Sequence, residues 1–106
     1  MNNSNADFKS LALDEHTAAH VAELFRAFSD TSRVRILSAL VNQEINVSAL
    51  AVLVGISESA ISHHMRGLRQ MRLVQSRRDG KEIYYRLEDE HIIALFQQGI
   101  SHVQHG

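Results

Sequence analysis

Four possible metal ligands stand near the end of this sequence, in a chain that has seven histidines among 106 residues. They are Asp89, His91, His102 and His105. His102 and His105 are three residues apart and would share a helix face. His91 precedes His102 by eleven residues, which is about 16 Å along a helix axis. A single metal ion with ligand bonds near ~2 Å cannot reach both ends of such a helix.

A second copy of the chain would remove this separation. If two such helices run antiparallel across the axis of a homodimer, Asp89 and His91 of one chain lie beside His102 and His105 of the other. Asp89 stands at the helix start, where the backbone is not yet helical, so it can turn inward. The spacing therefore predicts two identical metal sites per homodimer. The alternative is that these histidines are solvated or partly buried and bind no metal.

The ligand types indicate which metal would bind. Three imidazoles and one carboxylate favour four-coordinate Zn(II), with Co(II) as a close substitute, over Cu(I), which prefers sulfur. Ni(II) prefers more ligands, and His16 and His20, one helical turn apart, could supply them. The alternative for that pair is two ordinary surface histidines. The chain has no cysteine, which excludes disulfides, thiolate metal sites and cysteine nucleophiles.

Hydrophobic periodicity and capping residues predict the elements that position these ligands. We expect residues 1–13 to form a flexible tail and residues 14–106 to form one domain. The predicted fold class is mainly α with a β-hairpin wing, which is the winged helix-turn-helix fold. Asp79-Gly80 marks the hairpin turn. The predicted helices span residues 14–29, 30–42, 48–54, 57–71 and 88–104, and the predicted extended segments span residues 45–47, 73–77 and 82–87.

Residues 47–66 read VSALAVLVGISESAISHHMR and have the spacing of a helix-turn-helix. Ala51 is small where two helices would cross, Gly55 can adopt the positive φ of the turn, and Ile61 would fill the space between the helices. A helical hairpin that does not bind DNA would share these features. The spacing therefore leaves both interpretations open.

Charge favours DNA binding. Residues 57–86 contain seven of the eleven Lys and Arg but only three of the twelve Asp and Glu, and such a basic segment is typical of a surface that meets phosphates. We expect base contacts from the second helix of the motif, with Ser59, Ser62, His63 and Arg66 as the base-reading candidates, and phosphate contacts from the wing. The alternative is that Ser59 and Ser62 are ordinary polar surface and that His63 or His64 packs against the wing. The predicted helix residues are Ser57, Ser59, Ser62, His63, His64 and Arg66, and the predicted wing residues are Arg77, Arg78 and Lys81.

The chain resembles the ArsR/SmtB family of metal-sensing winged-helix repressors in three features. They are the order of these elements, the segment SESAISHHMRGLRQMRLVQSRRDGKEIYYRL at residues 57–87, and the pattern Asp89-x-His91 followed by His102-x-x-His105. The resemblance covers residues 14–105. It implies a homodimer that binds double-stranded operator DNA without metal and leaves it when metal binds to the C-terminal helix. The chain departs from the family pattern at residues 47–50, which lack the cysteines of many relatives, and at His64, where glutamine is usual.

Two other functions remain open at this point. One is a winged-helix repressor that senses a signal other than a metal, and the other is a small metal-dependent hydrolase. The hydrolase is disfavoured because four protein ligands leave no open position on the metal and no general base stands near them. We expect no small-molecule substrate and no membrane association. Met1 to Ser10 do not have the pattern of a targeting segment, and the sequence has no long apolar run. We therefore expect a cytoplasmic protein.

Overall fold

The computed structural model describes the backbone of residues 4–106 and the side chains from residue 7 onward. It confirms the predicted fold class, with helices around a small antiparallel sheet of order β1-β3-β2. The elements are α1 (Ser4–Lys9), α2 (Glu15–Ala27), α3 (Thr31–Ala39), β1 (Ile45–Asn46), α4 (Val47–Val54), α5 (Glu58–Gln70), β2 (Val74–Asp79), β3 (Glu82–Leu87) and α6 (Glu90–His105). None of the described helices is both long enough and apolar enough to cross a membrane.

Helix α1 is the one element that the sequence pattern did not predict, because it lies inside the segment expected to be a tail. Its side chains from Asp7 onward are exposed, and the exposed apolar residues Leu11 and Leu13 follow it. The described side chains of this helix, from Asp7 to Lys9, therefore do not pack against the core.

A polar residue caps the start of each of the five longer helices, and such residues mark helix starts in a sequence. In each case a side-chain oxygen accepts a hydrogen bond from the backbone N–H three residues later, which satisfies one of the unpaired donors at a helix start. The capping residues are Asp14, Asp30, Asn46, Ser57 and Asp89.

Helix α5 is fixed by one buried stripe. Ile61, Met65 and Leu68 have no exposed surface, and they pack into a core formed with α3, α4 and the sheet. Their spacing of four and three residues puts them on one helix face. The opposite face of α5 is consequently directed to solvent.

The hairpin of β2 and β3 confirms the predicted wing, but its loop lies one residue later than Asp79-Gly80 indicated. Asp79 pairs with Glu82, which leaves Gly80 and Lys81 as a two-residue loop. Gly80 has a φ of +64°. Glycine at the first loop position is typical of type II′ turns, whose twist matches that of the flanking strands.

The end of α5 contains a residue in an unusual conformation. Arg72 has a φ of +59°, in the left-handed region where glycine is usual. The Arg72 N–H donates to the Arg69 carbonyl and the Leu73 N–H donates to the Leu68 carbonyl. This is the Schellman pattern of helix termination. An arginine in this position costs about 1–2 kcal/mol of conformational energy.

We predict that Arg72→Gly raises the free energy of unfolding. The strain is relieved, and the greater freedom of glycine in the unfolded chain offsets part of the gain, so we expect a net increase of roughly 0.5–1 kcal/mol. Urea unfolding at fixed protein concentration measures this value. Arg72→Ala is the matched control and should give no increase, because alanine keeps the strained Cβ. Equal stabilities of the glycine and alanine variants would contradict the prediction.

Candidate nucleic-acid interface and metal ligands

The solvent-facing side of α5 contains most of the predicted DNA-contacting residues. Ser59, His63 and Arg66 are exposed, and Ser62 is half-buried beside them. Ser57 stands at the start of the helix, where its Oγ accepts a hydrogen bond of 3.0 Å from the Ala60 N–H. Four of these side chains therefore lie in the N-terminal half of α5 or at its cap, the part of a recognition helix that approaches base edges. Arg66 lies on the same side, just past the middle of the helix.

The three predicted wing residues have different surroundings. Arg78 and Lys81 are exposed at the tip, and among the described side chains they have no ion-pair partner. Arg77 donates from Nε to both carboxylate oxygens of Glu44, at 2.8 and 2.9 Å. Its guanidinium also lies over the Tyr84 ring, 4.6 Å from the centroid. Arg77 therefore braces the wing against the segment that precedes β1.

The two charges of this brace stabilise each other. The hydrogen bond from Arg77 lowers the pKa of the Glu44 carboxyl, and the same bond raises the pKa of the Arg77 guanidinium. No local pattern predicts this contact, because the two residues are 33 positions apart.

The structure turns His64 away from the other predicted DNA contacts. Its ring is only 19% exposed, and its Nδ1 accepts a hydrogen bond of 3.2 Å from Arg33 Nε. Its Nε2 lies 3.9 Å from Asp30 Oδ2. Both neighbours belong to the start of α3. The geometry thus supports a DNA contact for His63 and places His64 between two helices.

The four predicted metal ligands lie at opposite ends of α6. Asp89 caps the helix through Oδ1, which accepts from the Ile92 N–H at 3.0 Å, and His91 Nδ1 lies 3.6 Å from that oxygen. His102 and His105 are exposed in the last turn, and His105 Nδ1 lies 3.2 Å from Ser101 Oγ. Within the described part of this single chain, no three or more His, Asp or Glu side chains come together as a metal site. Each end of α6 therefore holds two ligands at most.

The donor set fits a metal in two halves. Asp89 uses one carboxylate oxygen for the helix cap and has the other available for a metal. His105 Nδ1 lies near the Ser101 hydroxyl, and a hydrogen bond at one ring nitrogen orients an imidazole that binds a metal through the other. His16 and His20 form a separate pair on α2, with ring centroids 4.5 Å apart.

Helices α2 and α6 have apolar side chains that the chain itself does not cover. Phe25 is 52% exposed and Val103 is 79% exposed, and both line an open groove of about 730 Å³ between α2, α3 and α6. A wide exposed apolar surface is typical of an interface that a partner covers.

Comparisons with known proteins agree with this geometry. Residues 30–76 match the model of the bacterial regulatory protein family arsR. The chain is 45% identical to the "Transcriptional repressor SmtB homolog" of Synechocystis sp. over 94 residues, which are 89% of this chain and 70% of the relative. The chain belongs to the ArsR family. It is also 40% identical to the transcriptional regulator NmtR of Mycobacterium tuberculosis, over 91% of this chain and 80% of that protein.

A solved structure extends the likeness to the fold. A homodimeric winged helix-turn-helix DNA-binding domain from Mycobacterium bovis, described as a possible ArsR-family transcriptional regulator, superposes with a TM-score of 0.76 at 28% identity, covering 88% of this chain and 89% of that one. This ArsR-family chain is thus a DNA-binding transcriptional regulator. The hydrolase alternative is wrong, because the family and these relatives are regulators and not enzymes.

We predict that Arg78→Ala and Lys81→Ala each weaken binding to every DNA sequence by a similar factor. Each lost phosphate contact should lower the slope of log affinity against log salt concentration by about one per site. Fluorescence anisotropy over a salt series measures the slope, with a duplex that the wild-type protein enriches from a random pool. Glu44→Gln is the control, because it neutralises the carboxylate of the Arg77 brace without removing a cation. An unchanged slope in both alanine variants would remove the wing tip from the interface.

Proposed function

We propose that this protein is a metal-responsive transcriptional repressor. As a homodimer without metal it binds operator DNA in the cytoplasm, and it is released when Zn(II), or Co(II) or Ni(II) in its place, binds at the dimer interface. The supporting observation is the arrangement of α6, in which two complementary pairs of ligands stand at opposite ends of a helix whose apolar side is left uncovered.

The exposed face of α5 reads the DNA in this proposal. Ser59, Ser62 and His63 contact base edges in the major groove, since short polar side chains and imidazoles reach bases from the start of a recognition helix. Ser57 and Arg66, together with Arg78 and Lys81 of the wing, contact phosphates and set the register. Two copies related by a twofold axis would recognise an inverted repeat.

The groove beside α6 is the surface on which the second subunit packs. Burying Phe25 and Val103 of both chains would cover apolar area that now faces water. An antiparallel arrangement of the two α6 helices places the ligand pair Asp89 and His91 of one chain beside the pair His102 and His105 of the other. The interface would thereby hold two symmetric metal sites.

The metal, when bound, would act as a cross-link between the subunits. His91, His102 and His105 would offer neutral imidazole nitrogens and Asp89 its second carboxylate oxygen, which is a donor set suited to Zn(II). Such a link favours one dimer geometry over others. If that geometry spaces the two α5 helices badly for successive major grooves, metal binding and DNA binding oppose each other.

His16 and His20 are further ligand candidates. Their rings are close enough to chelate one ion at helical spacing i and i+4, and both side chains are exposed. In this proposal they serve a metal that prefers a higher coordination number, such as Ni(II). Replacing both with alanine should then weaken Ni(II) binding more than Zn(II) binding in a metal titration.

We predict two metal sites per dimer, each shared between subunits. A heterodimer of a His91→Ala chain with a His102→Ala chain should keep one tight site, because both losses fall on the same site. A heterodimer of wild type with a His91→Ala/His102→Ala chain should keep none. Co(II) absorption and isothermal titration measure the stoichiometry. Ligand sets contained within single chains would give the reverse counts, zero and one, and would exclude the bridging arrangement.

We predict that saturating Zn(II) weakens DNA binding by roughly 5- to 150-fold, the range of typical coupling free energies, and that DNA weakens Zn(II) binding by the same factor. Anisotropy with the selected duplex, with Zn(II) and with a chelator, measures the first effect. The His91→Ala/His102→Ala homodimer is the control and should bind DNA equally in both conditions. Equal wild-type affinities with and without metal would defeat the derepression mechanism and would favour a regulator that senses another signal.

A further inference from the structure

His64 sits at the only described polar contact between the recognition helix α5 and the start of α3. Its Nδ1 accepts from Arg33 Nε at 3.2 Å, and its Nε2 faces Asp30 Oδ2 at 3.9 Å. The contact joins residues that are 31 positions apart, and it is partly shielded from solvent. A hydrogen bond in such surroundings is stronger than one in water.

Arg33 holds this position from two directions. Its backbone N–H donates to Asp30 Oδ2 at 3.1 Å as part of the helix cap, so the start of α3 is fixed. Its guanidinium lies along α5 as far as Gly67, where an added Cβ would come within 3.3 Å of Arg33 Nη2. The Arg33 side chain thus spans about one turn of α5, from His64 to Gly67.

The apolar stripe of α5 leaves the rotation of the helix about its axis loosely defined, and this contact can define it more closely. Burial of Ile61, Met65 and Leu68 is non-directional, so it holds the helix against the core without fixing its rotation closely. A hydrogen bond depends on angle as well as distance. The bond between Arg33 and His64 therefore refines the rotation of α5 that core packing sets, and so adjusts the direction in which Ser59, His63 and Arg66 point.

The same contact connects α5 with α2. Helix α2 has its C-cap at Phe28 and α3 has its N-cap at Asp30, so one residue, Ser29, separates the two caps. The Ser29 Oγ donates to the Arg26 carbonyl at 2.7 Å, which tightens that connection. Asp30, Arg33 and His64 therefore form a continuous set of contacts from the end of α2 to α5.

We propose that His64 is a positioning residue for the recognition helix, acting through its hydrogen bond with Arg33, and is not a DNA contact. This inference rests on the proposed reading of DNA by α5. In this proposal, His64 and Arg33 determine how well the exposed face of α5 fits its DNA site.

The test is a double-mutant cycle with a conservative variant. His64→Leu fills the space without an acceptor, Arg33→Met removes the donor, and His64→Asn puts an acceptor oxygen where Nδ1 stands. We expect His64→Leu to weaken binding to the selected duplex about fivefold. Arg33→Met should weaken binding in the wild type but have at most half that effect, in log affinity, in the His64→Leu background. His64→Asn should bind as wild type, because it keeps the acceptor and because asparagine and histidine have similar helix propensities.

The matched comparison uses the neighbouring exposed histidine. His63→Leu should change DNA binding independently of Arg33, so its effect and that of Arg33→Met should add. Unfolding midpoints of all variants separate lost folding from lost positioning. Additive effects of His64→Leu and Arg33→Met would overturn the proposal in favour of direct contact between His64 and DNA. Equal binding by His64→Asn and His64→Leu would also overturn it, because the acceptor would then be irrelevant.

Failure of the proposed function gives a different result. If the wild-type protein enriches no duplex, DNA reading itself fails, and the positioning role is judged from amide chemical shifts of residues 58–70 in the same variants. Shift changes shared by His64→Leu and Arg33→Met and absent in His64→Asn would support the role. Shifts that differ between the leucine and methionine variants throughout α5 would refute it.

Discussion

Three side chains on one face of α5 determine how the rest of this protein can be arranged. Ile61, Met65 and Leu68 are fully buried, and the helix can bury them only by directing its opposite face outward. The αL residue Gly55, with a φ of +79°, ends α4 so that α5 can cross it. Arg35 of α3 donates to the Val54 carbonyl at that same end, at 2.8 Å. The exposed polar face of α5 is thus a consequence of core packing, and the wing follows from where α5 ends.

Features that depend on near neighbours in the sequence could be predicted. Helix starts follow from caps such as Asp14 and Ser57, whose partners are three residues away, and the hairpin follows from the glycine in its loop. The contacts of Arg77 with Glu44 and of His64 with Arg33 join residues more than 30 positions apart. No periodicity encodes such contacts, so Arg77 was assigned to the DNA surface by its charge and its place in the wing, and His64 by its place in the second helix of the motif. The left-handed Arg72 also gave no signal, because arginine does not mark that conformation.

The metal ligands illustrate a related limit. Each half of the predicted site is local, Asp89 with His91 and His102 with His105, so the residue types and spacing of both halves can be read from the sequence. The length of α6 shows that the halves cannot meet within one chain. How closely they meet depends on the crossing of two α6 helices, which is a property of the assembly. The sequence therefore predicts the four ligands, and the described single chain holds them as two pairs at opposite ends of α6.

Because α2 is exposed in the single chain, the activity of this regulator would depend on its own concentration. Of the thirteen residues of α2, only Ala27 is buried within the chain, and an isolated helix of that length is marginal in water. If a second subunit supplies its packing surface, α2 is fully ordered only after association, and the population of dimer rises with the square of the monomer concentration. A newly synthesised or strongly diluted regulator would then be inactive because its concentration is too low for dimerisation, whether or not a ligand is present.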